Sequence, residues 1–367
     1  MARIAIWTAS YLPKIGGLEW STYRLAKALV RLGHEPLFIT RTSDDGKTSD
    51  VPEVRFPGAT VNEWTKISGD WILANRARFD VLHTIDCFYQ AIDEQLAFLA
   101  GSGLPTVMKI PTQGYIPRLI NTLKRQSLFT GIDAFVALNP GIREELLSEG
   151  VNAEKIHAVP NGVDTREFVP AENKGEARRL LGLPPEGLLA LYIGRFVRRK
   201  RLDVLLSAMR LVQPEVRLVL VGSGFGQRDS TEEEVIRQAK GVANVILREP
   251  IQSTLAYYQA CDAHVLVSER EGLANSVLEA MSCAIPNVVS DIPGLSDVVA
   301  AGQEGLVVPV GDVEATAGAL DNLQAHPETQ TRFGLAARQK ALLQYEGTRI
   351  AEKYEMIYRV LIVRRFT

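Results

Sequence analysis

Short apolar runs of strand length alternate along this chain with longer stretches in which apolar residues recur every three or four positions. Arg3–Thr8 reads as a strand and Trp20–Leu32 as the helix that follows it. Pro36–Thr40, Val81–His83 and Thr106–Ile110 read as further strands, with a helix near Ala91–Ala100. The rhythm restarts at Leu188–Ile193, followed by a helix over Leu202–Leu211, the strand Val216–Val221, a helix near Ser230–Lys240, the strand Val245–Leu247, a helix near Ser253–Ala260 and the strand Ala263–Val267. Strands separated by helices belong to parallel sheets with crossover connections, so the pattern predicts two consecutive α/β units.

The break between them is marked by Val159-Pro160-Asn161-Gly162-Val163-Asp164, whose Pro-Asn-Gly is a turn signal, and by the aperiodic Phe168-Val169-Pro170-Ala171. This places the boundary near residue 168, with an N-terminal domain over 1–167 and a C-terminal one over 168–345. Within Thr348–Arg364, Ile350, Tyr354, Ile357, Tyr358 and Leu361 fall on one helical stripe, and a helix over about 346–367 is expected to return to the first domain. A length of 367 residues suits two domains.

Composition narrows the class without changing the fold. With 46% hydrophobic and 23% charged residues the chain is that of a folded globular protein. A net charge of −2 supplies no global positive field for nucleic acid, so an anionic ligand needs a local site. Cys87, Cys261 and Cys283 are far apart and form no C-x-x-C pair, which argues against a disulfide framework or a zinc site and fits a reducing cytoplasm. The N-terminus reads as a core strand, and no apolar stretch reaches the roughly 18 residues of a spanning helix.

Three segments can carry chemistry. In the loop Ser10–Glu19, Gly16 and Gly17 precede a helix start, where backbone N–H groups can receive phosphate; the plainer reading is a tight turn. No G-x-G-x-x-G fingerprint is present, so a dinucleotide dehydrogenase has no support. The segment Gly194–Arg201 follows an apolar strand and holds five cations in the seven positions from Arg195. Such runs are commonly solvated loops, but open α/β sheets bind ligands at the carboxyl ends of strands, and diphosphate is the natural partner of this one. The segment Ser268–Met281 places Glu271 on a loop and Glu279 one turn into a helix that Asn275 or Ser276 can cap. Both carboxylates can accept from sugar hydroxyls while the N–H groups of Ala274, Asn275 and Ser276 face phosphate; Glu279 as an ordinary helix-surface residue is the alternative. His83 ends a strand near Asp86 and either contacts ligand or packs, whereas His34, His157 and His264 read as structural. Zinc-peptidase, calcium-loop and serine-hydrolase motifs are missing.

The pieces Gly16-Gly17-Leu18-Glu19, Arg31-Leu32-Gly33-His34-Glu35, Pro160-Asn161-Gly162-Val163-Asp164 with Phe168, Gly194-Arg195-Phe196 with Lys200, Leu220-Val221-Gly222-Ser223-Gly224, and Glu271 with Glu279 occur in this order over most of the chain. Together they resemble glycosyltransferase family 4. The resemblance implies a GT-B fold, two Rossmann-like domains facing across a cleft, and retaining transfer from a nucleotide-diphosphate sugar without metal or other cofactor. It implies that Arg195 and Lys200 neutralise the diphosphate, that Glu279 binds ribose and Glu271 the transferred sugar, and that Gly194, Gly222, Ile251 and the backbone of Gly272, Leu273, Ala274 and Asn275 line the donor. Gly16 and Gly17 would approach the diphosphate from the other domain, and Glu19, His83, Lys109 and Asn161 are the acceptor-side candidates. No dedicated base is required if the leaving phosphate helps deprotonate the acceptor.

The chain also departs from the family pattern. Lys109-Ile110-Pro111-Thr112-Gln113-Gly114 stands where many relatives carry a histidine, Glu249 where a glycine is common, and Ala284 where a glycine often precedes the Pro286 position. Ile116–Phe129 sets Ile116, Leu119, Ile120 and Leu123 on one helical face, which either packs in a core or gives a peripheral membrane contact. An epimerase or phosphorylase on the same scaffold and a non-catalytic nucleotide-sugar-binding protein are the competing functions; nucleotide base, sugar, acceptor and oligomeric state stay open.

Overall fold

The computed structural model describes residues 1–12, 16–41, 49–57, 59–85, 98–99, 101–114, 122–226, 229–251 and 253–364, with backbone alone for 122–125. Lys14 and its neighbours in the glycine loop, Asp86, Cys87, most of the helix expected near Ala91–Ala100, and 116–121 of the amphipathic segment lie outside the described residues. The chain forms two compact units, Met1–Gly162 with Gly347–Thr367, and Val163–Glu346.

The first unit is built on seven parallel strands: β1 Arg3–Thr8, β2 Glu35–Thr40, β3 Glu53–Arg55, β4 Val81–Thr84, β5 Thr106–Ile110, β6 Ala134–Ala137 and β7 Ile156–Ala158. Their order in the sheet is β3-β2-β1-β4-β5-β6-β7, so the winding reverses between β1 and β4. β1, β4, β5 and β6 are buried almost throughout, as expected of strands covered on both faces. The helix Gly17–Arg31 after β1 adds Leu25, Ala26 and Leu29 to the core.

The helix Gly347–Arg364 buries its predicted stripe, Ile350, Tyr354, Ile357, Tyr358 and Leu361, in the same cluster as Ile4, Ile6, Val81 and Val107. Inside this core His83 stacks on Tyr354 with ring centroids 5.2 Å apart, and its Nδ1 lies 2.6 Å from the Tyr358 hydroxyl.

The second unit has six parallel strands: β8 Leu188–Ile193, β9 Val216–Val221, β10 Val245–Arg248, β11 Ala263–Leu266, β12 Asn287–Ser290 and β13 Gly305–Val308. Their order is β10-β9-β8-β11-β12-β13, again reversing after the first strand. The turn signals predict the crossing near residue 168, but the second unit begins at Val163. There Val163 donates its N–H to the Tyr345 carbonyl at 2.8 Å and pairs with Glu346, so the segments that enter and leave this unit run side by side. Phe168 is already part of its core, edge-on to Tyr258.

The unusual Ala284 has a backbone explanation. The helix Asn275–Ser282 ends with Ala284 N–H bonded to the Met281 carbonyl and Ile285 N–H to the Ala280 carbonyl, the pair of bonds that closes a Schellman cap. Such a cap requires a left-handed residue, and Ala284 takes φ +58, where its Cβ crowds the following carbonyl.

Two stability outcomes follow from these packings. Relieving about 1–2 kcal/mol of left-handed strain against the roughly 0.4–1 kcal/mol that glycine loses through unfolded-chain freedom leaves Ala284→Gly more stable by about 0.5–1 kcal/mol in urea unfolding. Tyr354→Ala should lower the unfolding free energy by about 3–5 kcal/mol, whereas Val360→Ala, on the exposed side of the same helix, should stay within about 0.5 kcal/mol. Equal effects at 354 and 360 would contradict the burial of this helix.

Candidate active site

In the second unit β8 lies between β9 and β11, and the chain winds away from β8 in opposite directions on its two sides. In such sheets a crevice opens at the carboxyl ends of the strands where the winding reverses. The loops after β8 and β11, Gly194–Arg201 and Ser268–Ala274, both emerge there.

The loop after β8 is fixed by its surroundings. Tyr192, fully buried, donates its hydroxyl to the Arg195 carbonyl at 2.8 Å. Gly222, at the end of β9, has φ +148, and a Cβ there would stand 1.9 Å from the Gly194 carbonyl oxygen. The glycine at 222 therefore lets the two strand ends close on each other. Beyond Phe196 the chain makes a single 3-10 turn over Arg198–Lys200, and Arg201 then takes a left-handed conformation at φ 49 before the helix Leu202–Ala208.

This turn folds Lys200 inward. Its Nζ lies 2.5 Å from Glu271 Oε1, and Arg199 approaches Glu271 Oε2 at 3.4 Å, so each carboxylate oxygen has its own cation. Lys200 and Glu271 are both buried. Burial opposes the charged carboxylate, but Lys200 and Arg199 outweigh it and hold the Glu271 carboxyl below its usual range. Burial pulls the Lys200 ammonium down, with Glu271 opposing and Arg199 and Arg195 adding to the fall. Two cations thus meet one carboxylate, with the Arg195 charge bearing on Lys200, and the excess positive charge suits an anionic ligand.

After β11 the chain runs through buried Gly272, Leu273 and Ala274 into the helix Asn275–Ser282. The expected cap at Asn275 or Ser276 is not what forms: Ala274 occupies the capping position and Asn275 is the first helical residue, so no side chain caps this helix. A helix start without a side-chain cap suits phosphate. Glu279 is not a surface residue; it is buried, and its Oε2 accepts the Tyr258 hydroxyl at 2.8 Å. Ile251, half-buried, follows β10 at the same edge of the sheet.

The sequence-predicted residues Gly194, Arg195, Lys200, Gly222, Ile251, Glu271, Gly272, Leu273, Ala274 and Asn275 therefore follow the carboxyl ends of adjacent strands. Sequence reasoning missed Arg199 and Tyr258. Arg199 was one cation in a run, and only the 3-10 turn distinguishes it from Arg198. Tyr258 gave no signal, because its partner is 21 residues away.

In the first unit, Gly16 is the N-cap of the helix Gly17–Arg31, and the Glu19 carboxylate lies so close that a Cβ on Gly16 would stand 2.3 Å from Glu19 Oε2. Ser10 donates its hydroxyl to Glu19 Oε1 at 2.5 Å, which sets a buried carboxylate at a helix N-terminus. Lys109, near the end of β5, is 2% exposed and donates to Asn161 Oδ1 at 2.7 Å and to the Ser21 hydroxyl at 3.4 Å. A cavity of about 10 Å³, room for about one water, is lined by Ser21, Arg24, Lys109, Asn161 and Tyr354. Burial pulls the Lys109 ammonium down to about 7. His83 is completely buried, and burial followed by the Lys109 charge pulls its imidazole down to about 3.

Among the described residues no three His, Cys, Asp or Glu side chains converge on a metal position, and no helix is long and apolar enough to cross a membrane.

Comparison with known proteins identifies the family and the fold. The family model described as Glycosyltransferase Family 4 matches residues 15–167, and the one described as Glycosyl transferases group 1 matches residues 173–340. The alpha-maltose-1-phosphate synthase of Mycolicibacterium smegmatis is 27% identical over 97% of this chain and 99% of its own. The D-inositol 3-phosphate glycosyltransferase of Xylanimonas cellulosilytica is 29% identical over 75% of this chain and 65% of its own. The crystal structure of Anabaena HepE in complex with UDP and glucose superposes with a TM-score of 0.83 at 17% identity, covering 98% of this chain and 100% of that one, which establishes the fold as GT-B.

The buried Lys109 makes stability depend on pH in a defined direction. The unfolded chain keeps this proton to about 10.5 and the folded one releases it above about 7, so between these values the unfolded state binds more protons and stability rises with pH. Relative to Lys109→Met, the unmodified protein should gain up to about 1.4 kcal/mol per pH unit between pH 7 and 9.5. Parallel stability curves in urea melts over this range would show that Lys109 is not desolvated.

Proposed function

The chain belongs to the glycosyltransferases that join a family 4 domain to a group 1 domain, and from that premise we propose that it transfers a hexose from a nucleoside-diphosphate sugar with retention of anomeric configuration. The observation that carries the reading is the gathering of Arg195, Arg199, Lys200, Glu271 and Glu279 on loops and a helix that leave neighbouring strands of one sheet. Arg195 and Lys200 neutralise the diphosphate, Glu279 accepts from the ribose hydroxyls, and Glu271 accepts from hydroxyls of the transferred sugar. The backbone of Gly272–Asn275 meets sugar and phosphate.

The barrier in such a transfer is set by negative charge gathering on the departing diphosphate while the sugar acquires oxocarbenium character. Fixed cations and helix-end N–H groups stabilise that charge without reorganising, and each key donor is typically worth about 3–4 kcal/mol. Glu271 is unsuited to act as a nucleophile or base, because a cation against each of its oxygens lowers its basicity, while the remaining lone pairs can still accept from sugar hydroxyls. A single front-face step, with the leaving phosphate drawing the acceptor proton, fits this arrangement and retains the anomer. Arginine and lysine take the role a divalent ion plays elsewhere, so metal-free transfer is part of the proposal.

Uridine is the base we assign, on the strength of the HepE complex with UDP and glucose. The names of both relatives carry a phosphorylated small molecule, which supports a phosphorylated acceptor received on the first unit. Cys261 and Cys283 are buried free thiols, in keeping with a cytoplasmic enzyme.

The test is transfer from UDP-glucose to glucose 1-phosphate, inositol 3-phosphate and their unphosphorylated forms, with and without EDTA. The product anomer should match the donor, EDTA should leave the rate unchanged, and Arg195→Ala should lower kcat about 10²–10³-fold at saturating donor. An inverted anomer would exclude the front-face route, and an Arg195→Ala enzyme of normal kcat would remove the diphosphate assignment.

A further inference from the structure

The polar face of Glu279 is built by a residue outside the donor segments. Tyr258 sits in the helix Leu255–Ala260 with no exposed surface, and its hydroxyl lies 2.8 Å from Glu279 Oε2. A carboxylate only accepts, so the phenol is the donor. The ring that carries this hydroxyl is held from two sides. Phe168 meets it edge-on at 5.8 Å between centroids, and His264 lies at 6.3 Å.

Both neighbours are themselves anchored. The Phe168 carbonyl accepts the Ser282 hydroxyl at 2.6 Å and Arg338 at 3.2 Å, and Ser282 lies in the same helix as Glu279, almost one turn on. His264 Nδ1 is 2.8 Å from Asn287 Oδ1, at the start of the next strand. The Tyr258 ring is thereby packed between Phe168, bonded to the helix that bears Glu279, and His264 of the neighbouring strand, which sets its hydroxyl against Glu279.

We propose that Tyr258 is a positioning residue that fixes the Glu279 carboxylate for the ribose hydroxyls of the nucleotide. Glutamate has three rotatable side-chain bonds, and an unheld carboxylate must be ordered each time nucleotide binds. The Tyr258 bond supplies that order beforehand, so its contribution is felt only by ligands that carry the hydroxyls Glu279 accepts from. The proposal rests on the assignment of Glu279 to ribose made above, and the experiment separates the two.

Calorimetric titrations with UDP and with 2′,3′-dideoxy-UDP are compared for the unmodified enzyme, Tyr258→Phe, Glu279→Ala and the double variant. Tyr258→Phe keeps the ring packing, and melting curves confirm the fold of each protein. The expected result is an approximately tenfold loss of UDP affinity in Tyr258→Phe, with the dideoxy nucleotide within twofold of the unmodified enzyme. Glu279→Ala should abolish the preference for UDP over its dideoxy form, and adding Tyr258→Phe to it should change nothing further.

An equal loss for both nucleotides in Tyr258→Phe would mean that the tyrosine only packs, and unchanged UDP affinity would mean that it does not act on Glu279; either overturns the proposal. A Glu279→Ala enzyme that still prefers UDP would overturn the ribose assignment itself, and the positioning role with it. An unmodified enzyme that binds both nucleotides equally, or neither, would do the same.

Discussion

The Lys200–Glu271 ion pair joins loops 71 residues apart, and the second unit is organised so that this pair can exist. A buried lysine and a buried glutamate are each costly alone and tolerable only together. They meet because β8 and β11 are adjacent and parallel, so the segments that leave them emerge at the same edge of the sheet. Arg199 adds a second cation to the same carboxylate, and the resulting positive excess is what gives the edge its chemical character. Remove the winding reversal and the cation loop becomes the solvated run that its composition alone describes.

Backbone geometry supports that charge arrangement at points where a side chain is missing or strained. Gly222 lets the end of β9 approach the Gly194 carbonyl, and the Tyr192 hydroxyl ties down the Arg195 carbonyl next to it. At the far end of the helix that carries Glu279, Ala284 accepts a left-handed conformation to close the cap. The helix start, in contrast, has no side-chain cap. The same element is thus closed by backbone bonds at one end and begun without a side-chain cap at the other.

The first unit uses burial differently. Lys109 is an ammonium held by the neutral Asn161 and Ser21, and His83 is sealed between β4 and the helix Gly347–Arg364 by two tyrosines. Desolvation moves both toward their neutral forms. Glu19, by contrast, is a buried carboxylate in the first turn of a helix that accepts the Ser10 hydroxyl.

Hydrophobic periodicity by itself determined the alternation of strands and helices, the presence of two α/β units and the buried stripe of the C-terminal helix, because these depend on spacing within one element. Ordered motifs identified the family and nominated Arg195, Lys200, Glu271 and Glu279. Tertiary structure decided which cation of a crowded loop turns inward, which tyrosine donates to Glu279, why Gly222 is a glycine, and that the crossing falls at Gly162 and not near 168. Those outcomes depend on contacts between segments tens of residues apart. No local pattern encodes them, since each is set by which strands become neighbours and which side chains that adjacency removes from water.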